Sequence, residues 1–218
     1  MSQTKKPQRG RPRTFDDKSV LGAARDAFWS AGFDGVSLDQ IAAATGVARP
    51  SLALAFGDKK SLYLQSVRSF MGDMADAADQ LLGGRAPLVQ EVRAFYRAAI
   101  TLYLAGDQPR GCLAVCTLPA AAADLDVRGA LREVLAATDT VFAARFQRAQ
   151  GEGEFPAAED AGTRGALAAS ILHSVALRAR SGASKAALTH LVDAAIAVLC
   201  PENPGKSARA MDRRTGKL

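Results

Sequence analysis

Apolar residues recur every three or four positions along most of the chain, which is the spacing of one face of an α-helix. In the first such segment, residues 16–31, the predicted buried side consists of Val20, Leu21, Ala24, Ala27 and Phe28. Alanine-rich runs and few strings of β-branched residues favour an all-α fold. Further helices are predicted near residues 59–82, 87–105, 127–149, 157–181 and 184–199.

Residues 37–56 contain two short helix patterns separated by a glycine turn. Ser37 is a suitable N-cap, and the side chain of Gln40 is placed to bond the amide of that cap. Gly46 suits the left-handed conformation that ends a helix, and Pro50 suits the first turn of the next helix. The pattern therefore predicts a helix-turn-helix.

The second short helix has one buried and one open face. Leu52 and Phe56 are four residues apart and are predicted to face inward. Asp58 caps the following helix, and Lys59 lies at its amino end, where free amides and the helix dipole favour an anion such as phosphate. The outward-facing residues are Arg49, Pro50, Ser51, Ala53 and Leu54.

Two interruptions are predicted in the remaining helical part. Pro119 lies inside an apolar run, so we expect a break or kink near Thr117 or Leu118. Residues 151–156 read as a loop.

The formal net charge of +6 is unevenly distributed along the chain. Residues 1–15 carry Lys5, Lys6, Arg9, Arg11 and Arg13 and no acidic residue, whereas residues 61–200 carry 13 basic and 14 acidic residues. This distribution favours a polyanionic partner for the amino-terminal part. A disordered, solubilising tail is the alternative explanation.

No stretch approaches the length of an apolar membrane span, and residues 1–13 do not resemble a signal peptide. Three cysteines do not make a disulfide framework. We therefore expect a cytoplasmic protein with no membrane partner.

Cys112 and Cys116 are four residues apart and share a helix face, which raises the question of a metal or redox site. The chain has only 2 histidines, and no further ligands are grouped near the cysteines, so core or pocket lining is the favoured interpretation. His173 lies among apolar residues without a nucleophile motif near it. We predict no catalytic residue, no metal and no cofactor.

Together with residues 14–36, the helix-turn-helix stretch resembles the amino-terminal domain of the TetR family of transcriptional repressors. Many members have aromatic rings where this chain has Ala53 and Ala55, so more of the DNA contact is assigned to basic residues. The matching positions are Phe28-Trp29, Gly32-Phe33, Gly35, Ile41-Ala42, Gly46-Val47, Ser51-Leu52, Phe56-Gly57 and Lys59.

The resemblance implies four parts: a disordered basic arm (1–13), a helix-turn-helix domain (14–60, motif about 37–56), a helical ligand-binding and dimerisation domain (61–200) and a disordered basic tail (201–218). The candidate DNA-binding residues are Arg9, Arg11, Arg13, Ser37, Thr45, Arg49, Pro50, Ser51, Leu54, Lys59 and Lys60. Its ligand-pocket candidates are Phe70, Met74, Phe95, Tyr96, Tyr103, Cys112, Cys116, Phe142, Phe146 and His173.

The resemblance further implies a homodimer formed through the last two helices, bound to a palindromic double-stranded operator. An unknown small-molecule effector would release this repressor. Two alternatives remain: a thiol-dependent enzyme using Cys112 or Cys116 with His173, and a non-specific DNA-packaging protein. The near-neutral body disfavours the second.

Overall fold

The computed structural model describes residues 15–201, and within them the chain folds into nine α-helices and one short 3₁₀ helix with no strand. The all-α prediction is confirmed. The predicted arm with Arg9, Arg11 and Arg13, and the predicted tail after Pro201, lie outside the described residues. The α-helices are α1 (Asp17–Ala31), α2 (Leu38–Thr45), α3 (Arg49–Phe56), α4 (Lys59–Leu81), α5 (Leu88–Tyr103), α6 (Leu113–Thr117), α7 (Leu125–Gly151), α8 (Ala161–Arg180) and α9 (Lys185–Leu199).

The ends of α2 and α3 follow the predicted local signals. The Gln40 amide donates to Ser37 Oγ over 3.2 Å, and the Ser37 amide donates to Gln40 Oε1 over 2.7 Å, so the predicted capping box is present. Gly46 ends α2 in the left-handed region with φ +67°. Pro50 lies in the first turn of α3, where its missing amide costs no hydrogen bond.

Helices α1 to α3 share a core with the start of α4. Phe28 and Tyr63 meet edge to face with their ring centroids 5.0 Å apart, and both side chains are fully buried. Leu52 and Phe56 are buried, as predicted, which fixes the inner face of α3. Trp29, which the helical pattern did not select, is also buried, while Leu21 and Ala27 are only partly buried.

Helix α4 continues from this part of the core into the part formed with α5 to α9, and the buried residues of both parts belong to one cluster. In this helical body α7 and α8 pack closely against each other. A Cβ added to Gly165 would lie 2.5 Å from the backbone nitrogen of Ala143, so a larger residue would force the helices apart. Small residues in α8 thus permit the close helix approach.

Some predicted boundaries need correction. Helix α8 begins at Ala161 rather than near residue 157, because the Asp160 carboxylate accepts from the Gly162 and Thr163 amides and caps the helix there. Helix α7 extends past both predicted ends. The predicted break is confirmed: α6 ends at Thr117, and Leu118–Ala121 form the 3₁₀ helix.

None of the helices within residues 15–201 combines the length and the apolar character needed to cross a bilayer.

Candidate nucleic-acid interface and enclosed cavity

The outer face of α3 is open to solvent. Arg49, Pro50, Ser51 and Ala53 are exposed, and Leu54 is 89% exposed. Nothing within the described chain covers Leu54, so this side chain is available for contact with a partner.

Arg49 is accessible on this surface. Its Nη1 lies 3.1 Å from Asp39 Oδ2, and both side chains are more than half exposed. Ion pairs of this kind contribute little to stability because water screens them. The guanidinium can therefore exchange Asp39 for another acceptor at small cost.

Arg49, Ser37 and Lys59 border the same shallow depression between α2 and α3, together with residues 34–36 and 38–40. The Lys59 ammonium lies 4.3 Å from the centre of the Phe33 ring, which holds the side chain near this depression. The structure thus brings three of the predicted DNA-binding residues together.

Two other predicted DNA contacts are already engaged within the chain. Thr45 is half-buried, and its hydroxyl donates to the Ile41 carbonyl over 2.8 Å. Lys60 Nζ bonds Asp126 Oδ2 at 2.7 Å and Asp124 Oδ2 at 3.0 Å. Its hydrogen bonds to Asp126 and then to Asp124 raise the pKa of Lys60 well above its ordinary value. In this conformation Lys60 fastens α4 to the start of α7, so a phosphate contact would require both bonds to break.

A buried joint connects α1 with the segment that precedes α6. The Trp29 indole Nε1–H donates to the Gly111 carbonyl over 3.0 Å, and the Arg110 guanidinium lies 4.4 Å from the centre of the Trp29 ring. Arg180, at the end of α8, donates from Nη1 to the carbonyls of both Trp29 and Arg110. Sequence reasoning did not identify this joint, although a buried indole N–H always needs an acceptor.

A second contact joins α4 to the end of α6. The Tyr63 hydroxyl and Thr117 Oγ1 are 2.7 Å apart, and both groups are buried. Gly111 also constrains this segment: its φ is +66°, and an added Cβ would lie 2.4 Å from the Ala176 carbonyl oxygen. Residues 111–117 are therefore fixed to α1 and α4 by hydrogen bonds and to α8 by close packing.

Trp29→Phe tests the joint, because it keeps a ring against Phe70 and removes the donor to Gly111. Leaving a buried carbonyl unpaired costs about 1–3 kcal/mol of unfolding free energy. We also expect faster amide hydrogen exchange in residues 111–117, measured by mass spectrometry. Ser30→Ala, one position further along α1 and exposed, is the control. Unchanged exchange in Trp29→Phe would show that the indole does not hold this segment.

A partly open cavity of about 330 Å³ lies between α4, α5, α7 and α8 in the helical body. Residues Cys112 and Val115 of the segment joined to Trp29 form part of its wall. Six of the predicted pocket residues line it: Met74, Phe95, Tyr103, Cys112, Phe142 and His173.

The other four predicted pocket residues do not line this cavity. Phe70 packs against the Trp29 ring, with centroids 4.9 Å apart. The Tyr96 hydroxyl donates to the Ala168 carbonyl over 2.8 Å, and Phe146 contacts Phe155. Cys116 lies beside Gly111, where its Sγ would be 2.7 Å from an added Cβ, and does not border the cavity. The lining residues that the prediction missed include Met71, Leu81, Leu102, Val115, Thr138 and Leu172.

Burial favours the neutral forms of the Cys112 and Cys116 thiols and of the His173 ring. Burial raises the pKa of the Cys112 thiol to about 11 and also raises that of Cys116. Burial lowers the pKa of His173, although the nearby Asp139 opposes this shift. A scarce thiolate argues against the thiol-enzyme alternative. No cluster of metal-ligating side chains occurs within the described part of the chain.

A family model described as bacterial regulatory proteins, tetR family, matches residues 20–65. The HTH-type transcriptional repressor ComR of Escherichia coli K12 is 27% identical over 185 residues, which is 84% of this chain and 88% of ComR. The HTH-type transcriptional repressor BdcR of the same strain is 30% identical over 112 residues, covering 50% of this chain and 57% of BdcR.

Solved structures show the same architecture. A cysteine mutant of the TetR family regulator CifR, complexed with 26-bp operator DNA, superposes with a TM-score of 0.76 at 28% identity. The match covers 85% of this chain and 98% of the CifR chain. The regulator FadR of Bacillus subtilis has a TM-score of 0.71 at 16% identity, covering 85% of this chain and 98% of FadR, and supports the fold alone.

Proposed function

Because this chain belongs to the TetR family of DNA-binding transcriptional regulators, we propose that it is a dimeric repressor which a small molecule releases from a palindromic operator. The observation that carries this proposal is the open face of α3, where Arg49 and Leu54 are exposed beside Ser37 and Lys59. ComR and BdcR are both named repressors, which favours repression over activation for this chain.

In the proposed complex α3 enters the major groove. Arg49 reads a guanine through its two acceptors, while Pro50, Ser51 and Leu54 contact neighbouring base edges. An exposed leucine suits the methyl group of thymine. Ser37, Thr45, Lys59 and Lys60 are the proposed contacts to phosphates, with Ser37 and Lys59 the better placed in this conformation.

The proposal keeps the division into a DNA-binding head (14–60) and a ligand-binding, dimerising body (61–200). It also keeps minor-groove contacts by Arg9, Arg11 and Arg13 in the arm. Because Ala53 and Ala55 replace the rings of many family members, the arm and Arg49 would carry more of the affinity.

Exposed apolar residues on the last two helices support the dimer. Leu167 and Leu177 of α8 are 48% and 53% exposed, and Val198 of α9 is 69% exposed. Apolar side chains of this size on adjacent helices are typical of an interface. Two-fold pairing would present two α3 helices to successive major grooves.

Release would act through the segment that borders both the cavity and the head. Cys112 and Val115 line the cavity, while Gly111 and Thr117 bond Trp29 and Tyr63. A ligand that binds better to a displaced form of this segment lowers operator affinity by the difference between its two binding free energies.

Arg49→Ala tests the proposed base reading. We expect a loss of about 1–3 kcal/mol in operator binding and a relaxed preference at one base pair per half-site. Fluorescence anisotropy with operators substituted at each position, at fixed moderate salt, measures both effects. Arg132→Ala removes an exposed charge from α7 and is the matched control. Equal affinity and equal base preference in Arg49→Ala would remove this residue from the reading set.

A further inference from the structure

The chemistry of the cavity wall restricts the class of ligand. We infer that the cavity binds a compact, uncharged, mostly apolar molecule that carries one hydrogen-bonding group directed at His173, an inference that rests on the proposed ligand-controlled function. Size, charge and hydrogen-bonding capacity each contribute separately to this conclusion.

The cavity volume of about 330 Å³ sets the size of the ligand. A cavity of about 150 Å³ holds benzene, so by proportion this one holds roughly 13 non-hydrogen atoms. That is the size of a two-ring aromatic or a short branched hydrocarbon skeleton. Met71 and Met74 are partly exposed at the wall, and their flexible thioethers suit contact with a ring.

The lining residues carry no formal charge. Among the described residues that border the cavity there is no Asp, Glu, Lys or Arg. Burying an ionised ligand without a partner costs several kcal/mol or more. Carboxylates, phosphates and ammonium groups are therefore excluded from the enclosed part of the ligand.

The polar lining groups differ in what they still offer a ligand. Thr138 Oγ1 donates to the Val134 carbonyl over 2.8 Å, and the Tyr103 hydroxyl is engaged with the Cys112 thiol. His173 has no hydrogen-bond partner among the described residues, and it is partly buried between the cavity wall and an open depression on the surface of α8. Since burial lowers its pKa, the ring is neutral near pH 7 and offers one donor and one acceptor. A hydroxyl or carbonyl group on the ligand would satisfy it.

Three probes with the same two-ring skeleton test the inference on the full-length protein. Naphthalene has no polar group, 1-naphthol carries an uncharged hydroxyl, and 1-naphthoate carries a negative charge at pH 7. We expect 1-naphthol to bind about three- to tenfold more tightly than naphthalene, as one net hydrogen bond would give. We expect 1-naphthoate to bind at least about 100-fold more weakly than 1-naphthol. Calorimetry, or quenching of Trp29 fluorescence, measures all three.

Three variants separate the role of His173 from simple occupancy of the cavity. His173→Leu should remove the preference for 1-naphthol over naphthalene while it leaves naphthalene affinity within about twofold. His190→Leu, an exposed histidine on α9, is the matched control and should bind as wild type. Ala137→Trp, at the exposed rim of the cavity, should weaken both uncharged probes by at least tenfold because the indole fills the space.

The inference is overturned if 1-naphthoate binds as tightly as 1-naphthol, if no uncharged probe binds, or if His173→Leu keeps the preference for 1-naphthol. Operator binding is measured in parallel without any probe. If the protein binds its operator but binds none of the three probes, only the inferred ligand class is refuted. Absence of operator binding would refute the proposed function itself, whatever the probes do.

Discussion

Replacing Leu167 and Leu177 together by Asp is expected to lower operator affinity by about 100- to 10,000-fold. In a dimer the second head binds its half-site at the high effective concentration that the first one provides. A monomer loses this gain, although every DNA-contacting residue is unchanged. The expected loss therefore exceeds that of any single change on α3.

The two leucines are chosen because they lie ten positions apart on α8, about 2.8 turns, and both are about half exposed. Asp side chains at both places would be buried opposite their symmetry copies, where like charges repel. Since neither side chain belongs to the core of the protomer, the fold should survive.

Light scattering at micromolar protomer concentration and operator titration by anisotropy measure the two effects, with circular dichroism to verify helix content. Leu125→Asp is the matched control, since Leu125 is 75% exposed but begins α7. A variant that keeps the mass of two protomers and wild-type operator affinity would show that this face of α8 is not the dimer interface.

Glu91→Ala is expected to destabilise the protein by about 3–5 kcal/mol, because it leaves the buried charge of Arg145 without its main partner. Arg145 is 1% exposed, and its Nε donates to Glu91 Oε2. Glu91 also accepts from the amides of Gly84, Arg85 and Ala86 and so organises the turn between α4 and α5. Removing it frees these donors as well.

The same carboxylate gives a pH dependence with a definite sign. Burial alone would raise the pKa of Glu91, but hydrogen bonds from the Ala86 amide, Arg145 and the Gly84 and Arg85 amides hold it below the ordinary value of 4.5. Because the folded pKa is depressed, this stabilisation is present above about pH 4.5 and is lost as pH falls through the folded value. In Glu91→Ala this part of the acid dependence should be absent.

Urea unfolding at fixed protomer concentration, repeated from pH 7 to pH 3, measures both effects. Glu133→Ala on α7, where the side chain is exposed, should change stability by less than about 0.5 kcal/mol. A loss no larger than that in Glu91→Ala would mean that Arg145 does not depend on this carboxylate.

The helix-turn-helix was predictable because its signals are local. The capping box of Ser37 and Gln40 lies within four residues, and Gly46 and Pro50 act through their own backbone conformations. Side-chain periodicity likewise identifies the inner face of α3, since only Leu52 and Phe56 are apolar at that spacing and large enough to fill the core.

The joints between head and body could not be predicted in this way. Trp29 and Gly111 are 82 positions apart, and Lys60 bonds acids more than 60 positions further along the chain. Periodicity gives the inner face of a helix but not the neighbour that covers it. Phe95 lines the cavity whereas the adjacent Tyr96 bonds the Ala168 carbonyl, although both ring residues are buried.

The buried Arg145 and Glu91 were missed for a related reason. Charged residues inside a helix pattern are normally assigned to the solvent face, because isolated charges are rarely buried. Here Arg145 and the backbone amides of the turn that precedes α5 both stabilise the Glu91 carboxylate, and these contacts are visible only in three dimensions.

Base-resolved protection mapping on the DNA next to the protein's own coding region measures whether two copies of α3 bind symmetric half-sites. The proposed dimer predicts two protected half-sites related by a dyad, with centres one helical turn or a whole multiple of turns apart. Arg49→Ala should weaken protection of both halves equally. Protection that is equally strong on random DNA, or confined to a single half-site at saturating protein, would show that the protein does not bind its operator as a sequence-specific dimer.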